Sequence, residues 1–182
     1  MSTTFPRTSK KTHGYSIEQV EEFLASARRA YDANDETDVL TAEDIRHTAF
    51  AMQKGGYSPG HVDAALERLE DAFAARERER AAHSMGEQAW TDKARGVAQV
   101  LVNRLSRPNG HRFTRTSFLT EGYSRSDVDR FAKKLVKYFE DGWPITVDDV
   151  RTAVFRPQRG GYREAQVDVV LDGVVDVMLA VR

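Results

Sequence analysis

Apolar residues fall into four stretches of the chain that share one helical spacing. Each stretch follows a tyrosine, and its apolar residues stand at offsets of 5, 9, 12 and 16 from that tyrosine. Alternating steps of four and three place such side chains on one face of a helix, where helices pack together. The four sets, called the packing seam here, are Val20, Leu24, Ala27 and Tyr31; Val62, Leu66, Leu69 and Phe73; Val128, Ala132, Leu135 and Phe139; and Val167, Leu171, Val174 and Met178. The pattern predicts four packing helices, and no alternation is long enough to build a sheet.

A glycine-tyrosine motif precedes each of these helices and predicts its first turn. Ser16, Ser58 and Ser124 follow three of the tyrosines and are typical N-caps, whereas the fourth motif has Arg163 there, so its helix is expected to fray. Gln19 and Asp127 stand three residues after their serines, the capping-box position. Each glycine is expected to turn the chain sharply. Tyrosine before the cap and valine at the fourth helical position have the spacing of a hydrophobic staple: Tyr15 with Val20, Tyr57 with Val62, Tyr123 with Val128, and Tyr162 with Val167.

A longer repeat overlies these motifs and predicts a tandem duplication. Residues 40–50 match 145–155 at an offset of 105, with Thr41 and Thr146 as caps of a short helix, and residues 5–9 match 113–117 at an offset of 108. The predicted organisation is two modules, 4–75 and 112–182, each with two glycine-tyrosine helix units. A helical spacer, 76–111, joins them, with Trp90, Ala94, Val97, Leu101 and Leu105 on one stripe.

The predicted fold class is therefore all-α, with tandem helical modules that each combine a short helix with longer helices packed in parallel. A seam of this length spans only about 17 Å, and an isolated helix pair of that size is marginally stable. One hypothesis pairs the two longer helices of each module within one chain, as a coiled-coil-like pseudo-dimer. The other pairs them between chains and gives a homodimer or larger assembly.

Composition excludes several kinds of chemistry. The chain has no cysteine, which excludes disulfides, thiolate catalysis and cysteine-based zinc sites. Its five histidines are far apart without metal-ligand spacing, so no metal, cofactor or enzymatic activity is predicted. An acid follows each staple valine, at Glu21, Asp63, Asp129 and Asp168, and we attribute it to the helix macrodipole rather than to general acid catalysis. Without an apolar run of about 20 residues or a signal peptide, a cytoplasmic location is expected.

The order phenylalanine, loop, Gly-Tyr and then valine followed by an acid resembles the amino-terminal domain of DivIVA, a bacterial scaffold of curved membrane at poles and division sites. The match is closest over residues 40–71, with residues 145–176 second. The long oligomerising coiled coil of that family is absent from this chain. The resemblance implies a scaffold in cell division or polar growth that binds other proteins and touches membrane through the loop before Gly-Tyr. The corresponding residues here are Lys10, Lys11, Lys54, Phe118, Leu119 and Arg159.

The sequence leaves two alternatives open. Phe118 and Leu119 form the one apolar pair among these loops, and they either contact a membrane or partner or pack beneath their own loop. Nucleic-acid binding is the rival function, because basic residues surround a turn within residues 104–115. Acids and bases nearly cancel, at 28 against 27, and the pI is about 6.5, which argues against a nucleic-acid partner. The cationic side chains of that turn are Arg104, Arg107, Arg112 and Arg115, beside His111.

Overall fold

The computed structural model describes residues 5–33 and 40–181, and it is mostly helical, as predicted. Two compact units divide the chain: unit 1 is Met1–Arg80 and unit 2 is Ala81–Arg182. The helices are α1 (Ile17–Asp32), α2 (Ala42–Arg46), α3 (Pro59–Met85), α4 (Glu87–Leu105), α5 (Arg125–Asp141), α6 (Val147–Arg151) and α7 (Glu164–Ala180). The strands are β1 (His13–Tyr15), β2 (Met52–Lys54), β3 (Glu121–Tyr123) and β4 (Pro157–Arg159).

Two small antiparallel sheets, absent from the prediction, join the motifs. Strand β1 pairs with β2 so that Tyr15 lies opposite Met52, and β3 pairs with β4 so that Tyr123 lies opposite Pro157. Each strand has only three residues, too few for an alternating pattern to be recognised in the sequence. The all-α prediction therefore needs this correction, although the helices make up most of the fold.

In unit 1, helices α1 and α3 pack side by side in the same direction. Near their first turns, Val20 and Val62 share one buried cluster with Tyr57. Farther along, the rings of Tyr31 and Phe73 lie with centroids 5.4 Å apart. Both contacts join residues at equal distances from their own motif tyrosines. The short helix α2 closes this end of the core, where its Ala42 and Ile45 pack with Phe73.

Unit 2 has the same order of strand, helix, short helix, strand and helix, preceded by α4. Its first core cluster joins Val128 of α5 to Val167 of α7. Helix α4 packs against both α5 and α7, and the Trp90 indole N–H donates to the Ala180 carbonyl at 3.2 Å. Of the stripe predicted for this helix, Ala94, Leu101 and Leu105 are buried, whereas Val97 is exposed.

Capping side chains begin most of the helices as expected. Ser16 and Ser124 accept from the third helical amides of α1 and α5, while Arg163 of α7 provides no side-chain cap. Thr41 and Thr146 form complete capping boxes with Asp44 and Asp149. The hydrogen bonds from these threonines lower the pKa of both aspartates below its ordinary value. The predicted caps at these four serine and threonine positions are confirmed.

The predicted capping boxes at Gln19 and Asp127 are wrong. The backbone N–H of Ser16 donates to the Ala51 carbonyl at 2.7 Å, and Gln19 accepts from the Ala51 N–H at 2.8 Å. In unit 2 the Ser124 N–H donates to the Arg156 carbonyl at 2.7 Å, and Asp127 binds Arg156. Each helix start therefore bonds to the residue that follows a phenylalanine in the other half of its unit. The prediction considered only partners within the helix itself.

The division of the chain differs from the predicted modules and spacer. Helix α3 continues without a break to Met85, beyond the predicted boundary at residue 76. Gly86 follows it, with a φ of 89°, and is the N-cap residue of α4. Residues 81–111 belong to unit 2 and do not form a separate spacer. The predicted start at residue 4 lies outside the described residues.

Candidate functional site

Each unit is centred on two motif tyrosines whose backbones bind each other, an arrangement that we call the tyrosine crossing. In unit 1, Tyr15 and Tyr57 exchange N–H to carbonyl hydrogen bonds, both of 2.9 Å. In unit 2, Tyr123 and Tyr162 exchange bonds of 3.0 and 2.9 Å. The two motifs of a unit therefore occupy equivalent places on either side of one crossing.

The motif glycines allow the two backbones to come this close. A Cβ atom on Gly14 or Gly56 would lie less than 3.0 Å from the carbonyl oxygen of Tyr57 or Tyr15, closer than real Cβ atoms approach. Gly122 and Gly161 face Tyr162 and Tyr123 in the same way.

The sharp turn expected of these glycines is not observed, because a positive φ occurs instead at the preceding Gly55 and Gly160, at 68° and 63°. Close backbone approach is therefore the reason for glycine in the motif.

Four phenylalanines complete the crossings, each against the tyrosine of the opposite half. Phe5 packs on Tyr57 and Phe50 on Tyr15, with ring centroids 5.5 Å apart in both cases. In unit 2, Phe113 packs on Tyr162 at 5.3 Å and Phe155 on Tyr123 at 5.2 Å. The repeated phenylalanine of the sequence is thus a partner of the repeated tyrosine, and aromatic pairs of this geometry contribute about 0.5–1.5 kcal/mol beyond area burial.

The acid after each staple valine accepts a tyrosine hydroxyl from the opposite half of its unit. Tyr57 donates to Glu21 at 2.6 Å, and Tyr162 donates to Asp129 at 2.9 Å. Tyr15 and Tyr123 likewise bond to Asp63 and Asp168. Attributing these acids to the helix macrodipole missed this partner. The sequence signal was present, because every acid stands six residues after a motif tyrosine.

Electrostatics keeps these tyrosines protonated as hydrogen-bond donors. Burial is the main cause that raises the pKa of Tyr15, Tyr123 and Tyr162, and the adjacent carboxylate raises it further. Burial also raises the pKa of Asp168, which the Tyr123 hydroxyl opposes. A donor tyrosine against a carboxylate is a structural pair that joins the two halves of a unit.

Most of the predicted staple and seam residues lie in the core, whereas Tyr31 of the seam is exposed. The staple residues Val20, Tyr57, Val62, Val128, Tyr162 and Val167 are buried, and Tyr15 and Tyr123 are half-buried. Of the seam, Phe73, Leu135 and Val174 are buried, and Leu24, Leu66, Leu69, Phe139 and Leu171 are half-buried. These residues build the crossings and the helix pairs, so the surface available to a partner lies elsewhere.

The loop before the first glycine-tyrosine motif of each unit ends in a braced tip, Ser9–Thr12 in unit 1 and Ser117–Thr120 in unit 2. The serine and threonine hydroxyls at the ends of each tip lie 2.8 Å apart. The Gly160 N–H donates to the Ser117 carbonyl at 3.2 Å and fixes the second tip. Between the braces stand Lys10 and Lys11 in unit 1, and Phe118 and Leu119 in unit 2.

Phe118 and Leu119 are 79% and 72% exposed, so the interpretation that they pack beneath their loop is wrong. Lys10, Lys11, Lys54 and Arg159 are exposed as well, and Lys54 and Arg159 end the paired strands β2 and β4. Unit 2 thus presents an apolar tip near a cation, whereas unit 1 presents a cationic tip.

A buried ion pair, which sequence reasoning missed, lies beneath the crossing of unit 2. Arg112 binds Asp129 at 2.7 Å and donates to the Leu105 carbonyl at 2.6 Å. Arg115 donates to the Gly110 carbonyl at 2.9 Å. Arg112, the central arginine of the basic turn, is therefore engaged inside the fold. This weakens the alternative in which the turn binds nucleic acid. Unit 1 has its own buried pair, Arg46 with Glu70, at 2.8 Å.

Within residues 5–33 and 40–181, no group of three or more histidine, aspartate or glutamate side chains is arranged to bind a metal ion. None of the helices in this part of the chain is long and apolar enough to cross a bilayer. Comparison with known proteins found no matching family model, no matching curated protein and no matching solved structure. The resemblance to DivIVA therefore stays a prediction that depends on the motifs alone.

Proposed function

We propose that this protein is a non-enzymatic scaffold related to the DivIVA family of cell division and polar growth, which contacts protein partners and the membrane surface through the tip of unit 2. The exposure of Phe118 and Leu119 is the observation on which this proposal depends. Two large apolar side chains on a braced tip are typical of a contact surface.

The energy available at this tip suits a weak, reversible contact. Burying two such side chains is worth about 2–4 kcal/mol. A cation near an anionic leaflet adds about 1 kcal/mol, and Arg159 is placed on the strand beside the tip. One tip of this kind is a weak membrane anchor, so further contacts from a protein partner are part of the proposal.

The proposal includes a tandem duplication in which each unit imitates, inside one chain, a dimer of glycine-tyrosine modules. The matching order of elements in both units and the two tyrosine crossings support it. So do the contacts between α1 and α3 at equal distances from their tyrosines. Covalent linkage then replaces protein concentration as the source of pairing.

Localisation of a fluorescent fusion in bacterial cells tests the contact surface. We expect membrane enrichment at poles or division sites, and we expect Phe118→Ser with Leu119→Ser to abolish it. The matched control is Val97→Ser with Val100→Ser, a second exposed apolar pair of unit 2, which should leave the pattern unchanged. Diffuse signal from the unchanged protein, or equal loss in the control, would contradict the proposal.

Light scattering over a range of dilutions tests the intramolecular pairing. We expect the mass of one chain, 20.5 kDa, at low micromolar concentration. A dimer that resists dilution would favour the alternative in which the seams pair between chains.

A further inference from the structure

Unit 2 contains a concave surface cavity of about 570 Å³ whose lining is strongly basic. Arg115, Arg125, Arg130 and Lys133 contribute four cationic side chains to it. Asp129 is the one acid among the described residues that line this cavity. The cavity is distinct from the loop tip, and neither the seams nor the caps explain its charge.

Asp129 does not neutralise these cations, because its charge is already compensated from behind. One carboxylate oxygen binds Arg112 at 2.7 Å and the Tyr162 hydroxyl at 2.9 Å. The other accepts the Gly110 N–H at 2.8 Å. Arg112 is buried and is not part of the cavity lining, so its charge cancels that of Asp129 beneath the cavity floor.

Within the described part of the chain, the cations themselves have weak anionic partners or none. Arg115 donates to the Gly110 carbonyl, a neutral acceptor, at 2.9 Å. Arg130 lies 3.9 Å from Asp127, whose two oxygens accept from Arg156 at 2.7 and 2.8 Å. The Nε of Arg125 is buried without a hydrogen-bond partner among the described residues. A buried donor left unpaired costs about 1–3 kcal/mol, and it commonly indicates a partner that is absent from the structure.

We propose that this cavity binds a phosphate-bearing anion. Guanidinium groups bind phosphate oxygens in pairs of parallel hydrogen bonds, and three of the four cations here are arginines. A single carboxylate would leave most of the positive charge uncompensated, whereas each phosphate group carries up to about two negative charges, so two such groups match it.

Unit 1 offers an internal comparison, because the same helix face there is not basic. The residues that correspond to Arg125, Arg130 and Lys133, at an offset of 108, are Ile17, Glu22 and Ala25. Both units share the architecture that holds these positions. Exchanging the residues between units therefore changes the charge of the helix face and introduces only side chains that the equivalent helix of the other unit already carries there.

Calorimetric titration with inorganic phosphate and pyrophosphate, at constant ionic strength against chloride, tests the site. The test variant carries Arg125→Ile, Arg130→Glu and Lys133→Ala, and we expect its affinity for pyrophosphate to fall at least about tenfold, the equivalent of about 1.4 kcal/mol. The control, Arg95→Ala, removes an exposed cation of α4 and should leave the affinity unchanged. Far-UV circular dichroism verifies that the variants fold.

The reverse exchange in unit 1, Ile17→Arg with Glu22→Arg and Ala25→Lys, should raise the phosphate stoichiometry toward two. Phosphate affinity that is equal in the unchanged protein and the triple variant of unit 2, or no greater than that for chloride, would overturn the proposal.

A vesicle experiment distinguishes two sources of the phosphate group. Vesicles of phosphatidylcholine with phosphatidylglycerol, compared with phosphatidylcholine alone, present the group as a lipid headgroup. If the triple variant loses vesicle binding, and if pyrophosphate displaces the unchanged protein from vesicles, the phosphate group belongs to a lipid headgroup. If the unchanged protein binds pyrophosphate but the triple variant binds vesicles as well as it does, the ligand is a soluble phosphate compound. The variant with Phe118→Ser and Leu119→Ser keeps the cavity, so its pyrophosphate affinity should be unchanged, and failure of the scaffold proposal is separable from failure of this one.

Discussion

The two units build the same tyrosine crossing around different polar interiors. Unit 1 buries Arg46 against Glu70, and the position in unit 2 that corresponds to Glu70 is the buried, apolar Val175. Unit 2 instead buries Arg112 against Asp129, whereas the corresponding acid of unit 1, Glu21, is exposed. The crossing is therefore compatible with either location of the ion pair, and the ion pair is not what specifies the fold.

The surfaces diverge further than the interiors. Helix α1 is tied to its neighbouring loop by neutral bonds between Gln19 and Ala51, while α5 uses the charged pair of Asp127 and Arg156. The tips and the faces of α1 and α5 also differ in charge. Differences in binding between the units should therefore lie in these outer positions, while the glycine, tyrosine and valine positions maintain the common framework.

Replacing Asp129 with alanine should reveal the largest difference in stability between the two units. It leaves Arg112 buried without its anion, which we expect to lower the free energy of unfolding of unit 2 by about 3–5 kcal/mol. Glu21→Ala removes only the hydroxyl bond of Tyr57 in unit 1, and we expect a loss of about 1 kcal/mol. Urea unfolding measures both, since Trp90 and Trp143 report on unit 2 by fluorescence and far-UV circular dichroism follows both units. Equal losses would contradict the distinction.

Gly122→Ala and Gly14→Ala test what the units share. In both, the added methyl group meets a backbone carbonyl that cannot rotate away, and we expect similar losses of about 1–3 kcal/mol from overpacking. Gly96→Ala in α4 is the control, because a Cβ there has no described neighbour within 4 Å, and a gain of about 0.5–1 kcal/mol is expected. Thermal or urea unfolding that shows no cost at Gly122 would refute the role of close approach.

A substitution at the uncapped start of α7 should stabilise unit 2, by less than the losses expected above. Arg163 has the backbone conformation of an N-cap, with φ of −63° and ψ of 118°, but contributes no side-chain bond. Arg163→Ser should stabilise unit 2 by about 1 kcal/mol, and Ser124→Ala at the start of α5 should cost a similar amount. An Arg163→Ser protein with an unchanged or lower urea midpoint would show that the cap position is not limiting.

Acid pH should weaken the ion pair between Asp127 and Arg156 in unit 2 and leave the neutral hydrogen bond between Gln19 and Ala51 in unit 1 unchanged. The hydrogen bond from Arg156 holds the pKa of Asp127 well below its ordinary value. A lowered folded-state pKa stabilises the fold above the unfolded value of about 4, and this contribution is lost as pH falls through the folded value. Asp127→Asn should therefore reduce the fall in tryptophan-monitored stability between about pH 4 and 2, a small effect because the Arg156 side chain of the pair is exposed to solvent. Identical pH profiles would contradict this linkage.

Local features were predictable from the sequence, because their physical causes lie within one turn of helix. The caps at Thr41 and Ser124 and the buried positions of Val62 and Val128 follow from residue type and spacing alone. The repeated order of motifs was visible as well, because apolar residues follow each glycine-tyrosine pair at the same offsets.

Features that join distant segments could not be predicted in the same way. A glycine before a tyrosine suits both a turn and a close backbone approach, and only the presence of Tyr57 beside Gly14 decides between them. Arg112 belongs to no repeat, so nothing in the sequence pairs it with Asp129, which is one of the four repeated acids. The basic cavity combines residues of the 109–115 turn with one face of α5, which the sequence presents as unrelated charges.

The tyrosine crossing also determines when each unit can form during synthesis. Tyr15 and Tyr57 are 42 residues apart, and Tyr123 and Tyr162 are 39 apart, so each crossing closes a long loop before it gains any contact. A nascent chain that ends before Tyr57 exposes Phe5 and Tyr15 without their aromatic and backbone partners. Unit 1 therefore completes its core only after the ribosome has released α3 as far as Phe73.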